Sequence, residues 1–305
     1  MPAAPRSLPT WQLFAIAVAI WSTTWHAILY QLEHSTPEAG VTLRFAAAGA
    51  FALGVAAWRG ERWRFTAREH ALLAAQGVFL YSLSYLAVYH AERHVASGLV
   101  AVGYSASPLI NGIGSWLLWR TPLGRRFVFG GVACLVGVTL IFWPELERAS
   151  SGDSAETARG AAFTVAAVLL SAVGSLAASR NEHHALPFWS ALGGGMLYGA
   201  ALSAVAVLAL GQSFAWPGAT SWWLSLAFLS IAGSVIAFAC YLALQQRVGV
   251  GAASTVGVMT PVLALGVSML FEGYRPEVLS LLGFALAMAG NVLILRPRAG
   301  ALGAG

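Results

Sequence analysis

Apolar runs of roughly 20 residues, each closed by a short polar segment, succeed one another from residue 11 to residue 295. A helix needs about 20 mostly apolar residues to cross the hydrocarbon of a bilayer. Ten runs meet that length: 11–30, 38–58, 70–91, 95–119, 127–144, 160–179, 187–210, 221–244, 251–271 and 277–295. Trp11, Trp58, Trp63, Trp119, Trp143, Trp216, Trp222 and Trp223 fall at or near their ends. Such a distribution fits an aromatic belt at the two membrane interfaces. The pattern predicts an all-α integral membrane protein of ten transmembrane helices.

Composition agrees. Of 305 residues, 58% are hydrophobic and only 10% charged, against about 25% charged in soluble chains. The net charge of +5 comes with 17 basic residues, all arginine. All but Arg44 lie in short loops between apolar runs or at the termini, so they speak for topology rather than for nucleic acid. Arg6, Arg59, Arg62, Arg64, Arg68, Arg120, Arg125, Arg126, Arg180, Arg247, Arg296 and Arg298 share one set of loops and termini. Only Arg93, Arg148, Arg159 and Arg275 belong to the other. The positive-inside rule makes the first set cytoplasmic, with both termini inside and the chain in the inner (plasma) membrane. The first apolar run is too long for a signal-peptide core and no small-residue cleavage site follows it. Cys134 and Cys240 sit inside apolar spans and read as inert thiols.

An internal repeat organises the chain. Pro108 and Pro261 are 153 residues apart, and at that offset Ser107 meets Thr260, Gly130 meets Gly283, Gly137 meets Gly290 and Pro144 meets Pro297. The polar stretch 145–159 separates an N-terminal half, 1–144, from a C-terminal half, 160–305. Five spans in each half is an odd number, so the halves enter the membrane in opposite directions. Inverted repeats of this kind characterise transporters that bind substrate near the midplane, where the halves meet. Proline has no amide hydrogen to donate and clashes with the carbonyl four residues earlier. Pro108 and Pro261 are therefore candidate hinges, and the backbone they break should face protein or a watery cavity.

The motifs resemble a known family. IWSTTWHAI in span one, PEAGVTLRFAAAG in span two, and the paired stretches YLAVYHAERHVASGLVAVGYSASPL and GVGAASTVGVMTPVLALGVSMLFEG are similar to those of EamA-type members of the drug/metabolite transporter superfamily. Ser22 after Trp21, where glycine is usual, resembles the branch that exports aromatic amino acids. The resemblance implies a ten-helix exporter of small metabolites with a central cavity, and export rather than import rests on it alone.

Candidate substrate-binding residues follow from aromatic and polar groups placed mid-span. Trp21 and Trp25, with Ser22 beside them, share a face of span one; Tyr81 and Tyr85, with Ser84, do so in span three. Tyr104, Ser107 and Asn111 surround Pro108, and Thr260 precedes Pro261. Rings with polar tips suit an amphipathic ligand such as an amino acid. Arg44, six residues into span two, is a candidate partner for a substrate carboxylate or for Glu33, Glu38 or Glu92, snorkelling to the interface being the other reading. No carboxylate is central, and His26 is the titratable group of span one, so proton coupling stays open. Another metabolite or drug, in either direction, remains an alternative cargo, as do a membrane enzyme or a non-transporting receptor. His90 and His94 have metal-binding spacing, but His183 lies at the opposite membrane face and no third ligand motif accompanies them. Neither a metal nor another cofactor is expected, and the glycines open no nucleotide loop. The expected partners are a small-molecule substrate and the bilayer, as monomer or homodimer.

Overall fold

The structure is a computed structural model and describes residues 8–120, 123–148, 154–183, 186–214 and 216–295. Arg6, Arg296, Pro297, Arg298, His184 and the middle of the polar stretch 145–159 lie outside them. The described residues are helical and contain no strand.

Helix α1 is Thr10–Leu32 and α2 is Pro37–Trp58. The start of α2 is set locally: Thr36 accepts the Ala39 amide and Pro37 brings its fixed φ to the first turn. Helix α3, Ala67–Ala91, opens on a capping box in which Thr66 and Glu69 satisfy one another's amides. Helix α4 runs over 97–119, α5 over Arg125–Arg148 and α6 over Ser154–His183. Phe188–Ala209 is α7, 220–253 is α8, Val256–Phe271 is α9 and Val278–Leu295 is α10.

Among the described residues, α1, α2, α3, α6, α7 and α8 contain stretches long and apolar enough to cross a membrane. Val256–Phe271 and Val278–Leu293 are apolar but shorter. Large apolar side chains point outward along the bundle, Leu208, Leu224, Leu270, Phe271 and Val278 each more than 60% exposed. Water would not tolerate so much exposed apolar surface; lipid does. Trp11, Trp58, Trp63 and Trp216 are exposed, as belt residues should be. Trp222 is not one of them: it is fully buried, its indole donating to Ser35 Oγ at 3.3 Å.

The 153-residue offset returns in the backbone. A π-helical segment, Gly77–Leu83, interrupts α3, and another, Ile231–Ile236, interrupts α8 at the corresponding place. An extra residue per turn re-aims the side chains beyond it. In α4 the segment Tyr104–Ala106 tightens to a 3₁₀ turn before Ser107–Trp119. Pro108 explains it, since the Tyr104 carbonyl cannot be reached by a proline nitrogen. Pro261 behaves differently. It lies within continuous α9, and the break comes earlier, at Ser254 and Thr255, with Gly249 at φ 82° upstream.

The last helices of the two halves, α5 and α10, pack against each other closely, as do α2 and α7. Glycines permit it. A Cβ on Gly137 would sit 2.5 Å from the Gly283 carbonyl, and one on Gly290 2.5 Å from the Gly130 carbonyl. Gly130 corresponds to Gly283 and Gly137 to Gly290 by the offset, so each glycine meets the counterpart of its own neighbour.

Candidate functional site

A cavity of about 80 Å³ lies where α1, α3 and α4 meet α6, α8 and the start of α9. One ordered water needs roughly 10–15 Å³ measured the same way. Several waters therefore fit.

Aromatic rings make the wall. Trp25 packs against Tyr104 with ring centroids 5.2 Å apart. Trp21 sits between Phe238 (5.0 Å) and Tyr241 (5.3 Å) and donates its indole hydrogen to the Gly233 carbonyl at 3.0 Å. Gly233 lies in the π segment of α8, where the widened turn leaves that carbonyl available. Between them stand Thr24, Ser107, Ser171, Ser175, Ser254, Thr260 and Asn111. No charged side chain lines this space.

The repeat is visible in the lining. Tyr85 and Phe238 are 153 residues apart, as are Val88 and Tyr241, Tyr104 and Gly257, and Ser107 and Thr260. Trp21 and Trp25 in α1 are answered in α6 by Ser171 and Ser175, also four apart. The same three helices of each half thus build opposite walls.

Two polar atoms on this lining have no partner. The Trp25 Nε1–H donor is buried and unbonded, and so is the Asn111 Oδ1 acceptor. Asn111 is otherwise committed: its Nδ2 donates to Ser254 Oγ at 2.8 Å, bridging α4 to the turn before α9. A buried polar group without a partner is unfavourable by about 1–3 kcal/mol. Both atoms are shielded in this arrangement but belong to residues of one cavity wall, where a slight turn of either side chain would present a donor and an acceptor to a ligand.

Seven of the ten residues picked from the sequence as binding candidates line the cavity: Trp21, Trp25, Tyr85, Tyr104, Ser107, Asn111 and Thr260. Three do not. Ser22 Oγ donates to the Val18 carbonyl at 2.6 Å and lies 3.2 Å from that of Thr260, tying α1 to α9. Ser84 Oγ is turned back on the Leu80 carbonyl. The Tyr81 hydroxyl accepts from Gln76 and its ring packs on Phe45 and Phe238. Sequence reasoning missed Phe238 and Tyr241, although applying the 153-residue offset to Tyr85 and Val88 would have found them. Pro108 and Pro261 are both buried, next in sequence to cavity-lining Ser107 and Thr260.

Arg44 does not snorkel. It is fully buried, donates from Nε to Ser234 Oγ at 2.9 Å, and lies over the Tyr85 ring with its Cζ 4.5 Å from the centroid. His26 bonds Glu272 at 3.2 Å through Nδ1 and approaches the Tyr30 hydroxyl at 3.4 Å through Nε2. Glu272, at the C-terminal cap of α9, also accepts from the Ser97 amide at 3.1 Å, the Ser97 hydroxyl and Ser268 Oγ. It clamps α9 to α1 and to the first turn of α4. The two histidines with metal spacing part ways: His90 meets Glu38 at 2.8 Å, and His94 bonds Glu156. No group of three metal-ligating side chains occurs among the described residues.

Comparison with known proteins places these observations in a family. The model of the EamA-like transporter family matches twice, over residues 9–143 and 158–296. The chain is 24% identical over 297 residues to Protein PagO of Salmonella typhimurium, covering 94% of this chain and 92% of that protein. A protein of Archaeoglobus fulgidus described as an uncharacterized transporter is 27% identical over 135 residues, 44% of this chain and 48% of its own length. A solved crystal structure at 21% identity superposes with a TM-score of 0.70, covering 93% of this chain and 96% of that one. At that identity the likeness concerns the fold alone.

Proposed function

Because the chain belongs to the EamA-like transporter family, we propose that it is a secondary transporter that carries a small amphipathic metabolite of the amino-acid class through the central cavity by alternating access. It spans the inner membrane ten times, as inverted five-helix halves, 1–144 and 160–305, joined by the polar stretch 145–159, with both termini in the cytoplasm. The crosswise meeting of Gly130 with Gly290 and Gly137 with Gly283 supports the inversion. A two-fold axis relating the halves requires that each contact be mirrored in this way.

The observation that carries the substrate class is the pair of unsatisfied hydrogen-bonding groups in an uncharged, aromatic-walled cavity. Trp25 Nε1 seeks an acceptor and Asn111 Oδ1 a donor, while the rings of Trp25, Tyr104 and Tyr85 offer flat apolar surface. A zwitterionic amino acid with an aromatic or branched side chain has a carboxylate, an ammonium and an apolar body to match. A lone net charge would enter without a counter-ion, which an apolar site disfavours strongly. Outward transport is the direction the family resemblance implies.

The hinge follows from the backbone. Pro108 and the 3₁₀ turn before it separate 97–103, which packs along α9, from 107–119, which draws away from it. Rotation about that point would open one end of the cavity as the clamp at Glu272 opens the other.

The test is counterflow in proteoliposomes. Vesicles loaded with unlabelled phenylalanine should take up labelled phenylalanine faster than protein-free vesicles, and excess leucine should compete more than excess glutamate or lysine. Flux of the charged amino acids with none of the neutral ones would discard the assigned class.

A further inference from the structure

The cavity contains no charge, yet two charged side chains are buried a short way from it with charged atoms that have no hydrogen-bond partner. Glu92 caps the end of α3, seven residues beyond cavity-lining Tyr85, about 10 Å at the helical rise. It is 6% exposed, and neither carboxylate oxygen meets a donor. Arg44 is fully buried; its Nε is taken by Ser234, while Nη1 and Nη2 meet no acceptor at hydrogen-bond geometry and have the Tyr85 and Tyr89 hydroxyls as their polar neighbours. It stands directly behind the cavity wall: a Cβ on Gly233 would lie 2.7 Å from Thr24 Cγ2 and 3.3 Å from Arg44 Nη2. Glu92 feels both Arg44 and Glu272 electrostatically, but bonds to neither.

We propose that Glu92 is the proton-binding group of the transport cycle and that Arg44 takes up its charge when the proton leaves. A carboxylate stripped of water and of every hydrogen-bond donor is strongly disfavoured, so the group holds a proton instead. In the arrangement described here Glu272 reinforces that choice. It is held by Ser97, Ser268 and His26 and directs negative charge towards Glu92.

The surroundings leave few competitors for the role. From α2 comes Arg44, from α9 Glu272, from α1 His26 already bonded to Glu272, and from α4 the Tyr104 ring. On α3 itself, the Tyr89 hydroxyl donates to Gln31 and His90 is bonded to Glu38 of α2. From α6, Glu156 is taken by His94. Glu92 is thus the carboxylate at this end of the cavity whose oxygens are both open. When the Glu272 clamp releases α1 and α4, water and the terminal Arg44 nitrogens gain access to Glu92. The proton passes to water, the carboxylate remains, and Arg44 balances it. Closing the clamp reverses both steps, with one proton bound per cycle.

This inference rests on the transport reading but not on the choice of substrate, and the readings separate the two. For one proton per molecule, each unit of pH gradient should drive about tenfold accumulation of phenylalanine in wild-type proteoliposomes, with a matching signal from a pH dye trapped inside. Glu92→Gln should retain phenylalanine counterflow and lose both accumulation and dye signal. Wild-type counterflow with neither accumulation nor a dye signal under a pH gradient would overturn the proposal and leave the transport reading intact; so would a Glu92→Gln protein that still accumulates. Difference infrared spectra of the purified full-length protein across a pH titration need no substrate. They should show a protonated-carboxyl band that Glu92→Gln removes, and a wild-type spectrum in which that band is missing or survives the substitution overturns the assignment. If Glu92→Gln does not fold, Glu92→Asp must shift the midpoint of that band; an unchanged midpoint counts against Glu92.

Discussion

Trp25→Ala should slow phenylalanine counterflow by about tenfold or more while the yield of folded protein stays near wild type. The substitution removes a ring contact worth roughly 0.5–1.5 kcal/mol to an aromatic ligand and a hydrogen-bond donor worth a similar amount. Together these amount to about one to two orders of magnitude in binding. Trp25 is only half buried and one side of it borders open space, so stability should fall by less than the ~3–5 kcal/mol of a truncated core tryptophan. Trp25→Phe divides the two effects: the ring returns, the indole donor does not, and transport should recover in part. Asn111→Leu should raise the half-saturating concentration as well, but with some loss of stability, because the bridge to Ser254 goes with it. Tyr85→Ala tests the facing wall. Wild-type saturation behaviour in all three would remove the cavity from the transport path.

Why those residues were legible before any coordinates, and others were not, has a physical explanation. Aromatic residues with hydroxyl neighbours at mid-span have few reasons to be there in lipid, so Trp21, Trp25, Tyr85, Tyr104 and Asn111 stand out in an apolar sequence. Tyr81 looked equivalent to Tyr85 at a spacing of four, but α3 is π-helical across Gly77–Leu83. The run GVFLYSL resembles ordinary apolar helix, and no residue type in it announces the extra residue per turn. Ser22 and Ser84 were attractive as polar groups on apolar helices. Serine in such a helix commonly bonds the carbonyl four residues back, and both do so. The two prolines read alike in sequence, yet helix start points differ: α9 begins at Val256, so Pro261 falls in its second turn rather than at a break. Of the two readings open for Arg44, burial excludes snorkelling, and the sequence could not choose because the position of a charge along a helix says nothing of the direction its side chain takes. Phe238 and Tyr241 were overlooked singly, though the repeat that located Pro261 also locates them.

The largest loss of stability is expected from Gly137→Leu. A Cβ at this position would lie 2.5 Å from the Ala287 amide nitrogen and the Gly283 carbonyl oxygen, and backbone atoms, unlike a flexible side-chain tip, have no rotamer by which to withdraw. Overpacking a well-filled contact costs about 1–3 kcal/mol and at times more; forcing two backbones apart along α5 and α10 belongs at or above the top of that range. Folded yield from detergent should drop severely, and the melting temperature of what remains should fall. Gly290→Leu should do the same, since its Cβ would meet the Gly130 carbonyl at 2.5 Å in the mirrored half of the contact. Gly54→Ala provides the control. No atom lies within 4 Å of its added Cβ, and alanine favours a helix over glycine by about 1 kcal/mol, so that protein should be at least as stable as the parent. The comparison reaches beyond stability. Gly137 lies against Gly283 and Gly290 against Gly130, so α5 and α10 run antiparallel where they touch; halves related by an axis along the membrane normal would set Gly137 against Gly290 instead. If Gly137→Leu is tolerated as well as Gly54→Ala, α5 and α10 do not touch at their glycines, and the inverted arrangement loses the contact on which it was argued.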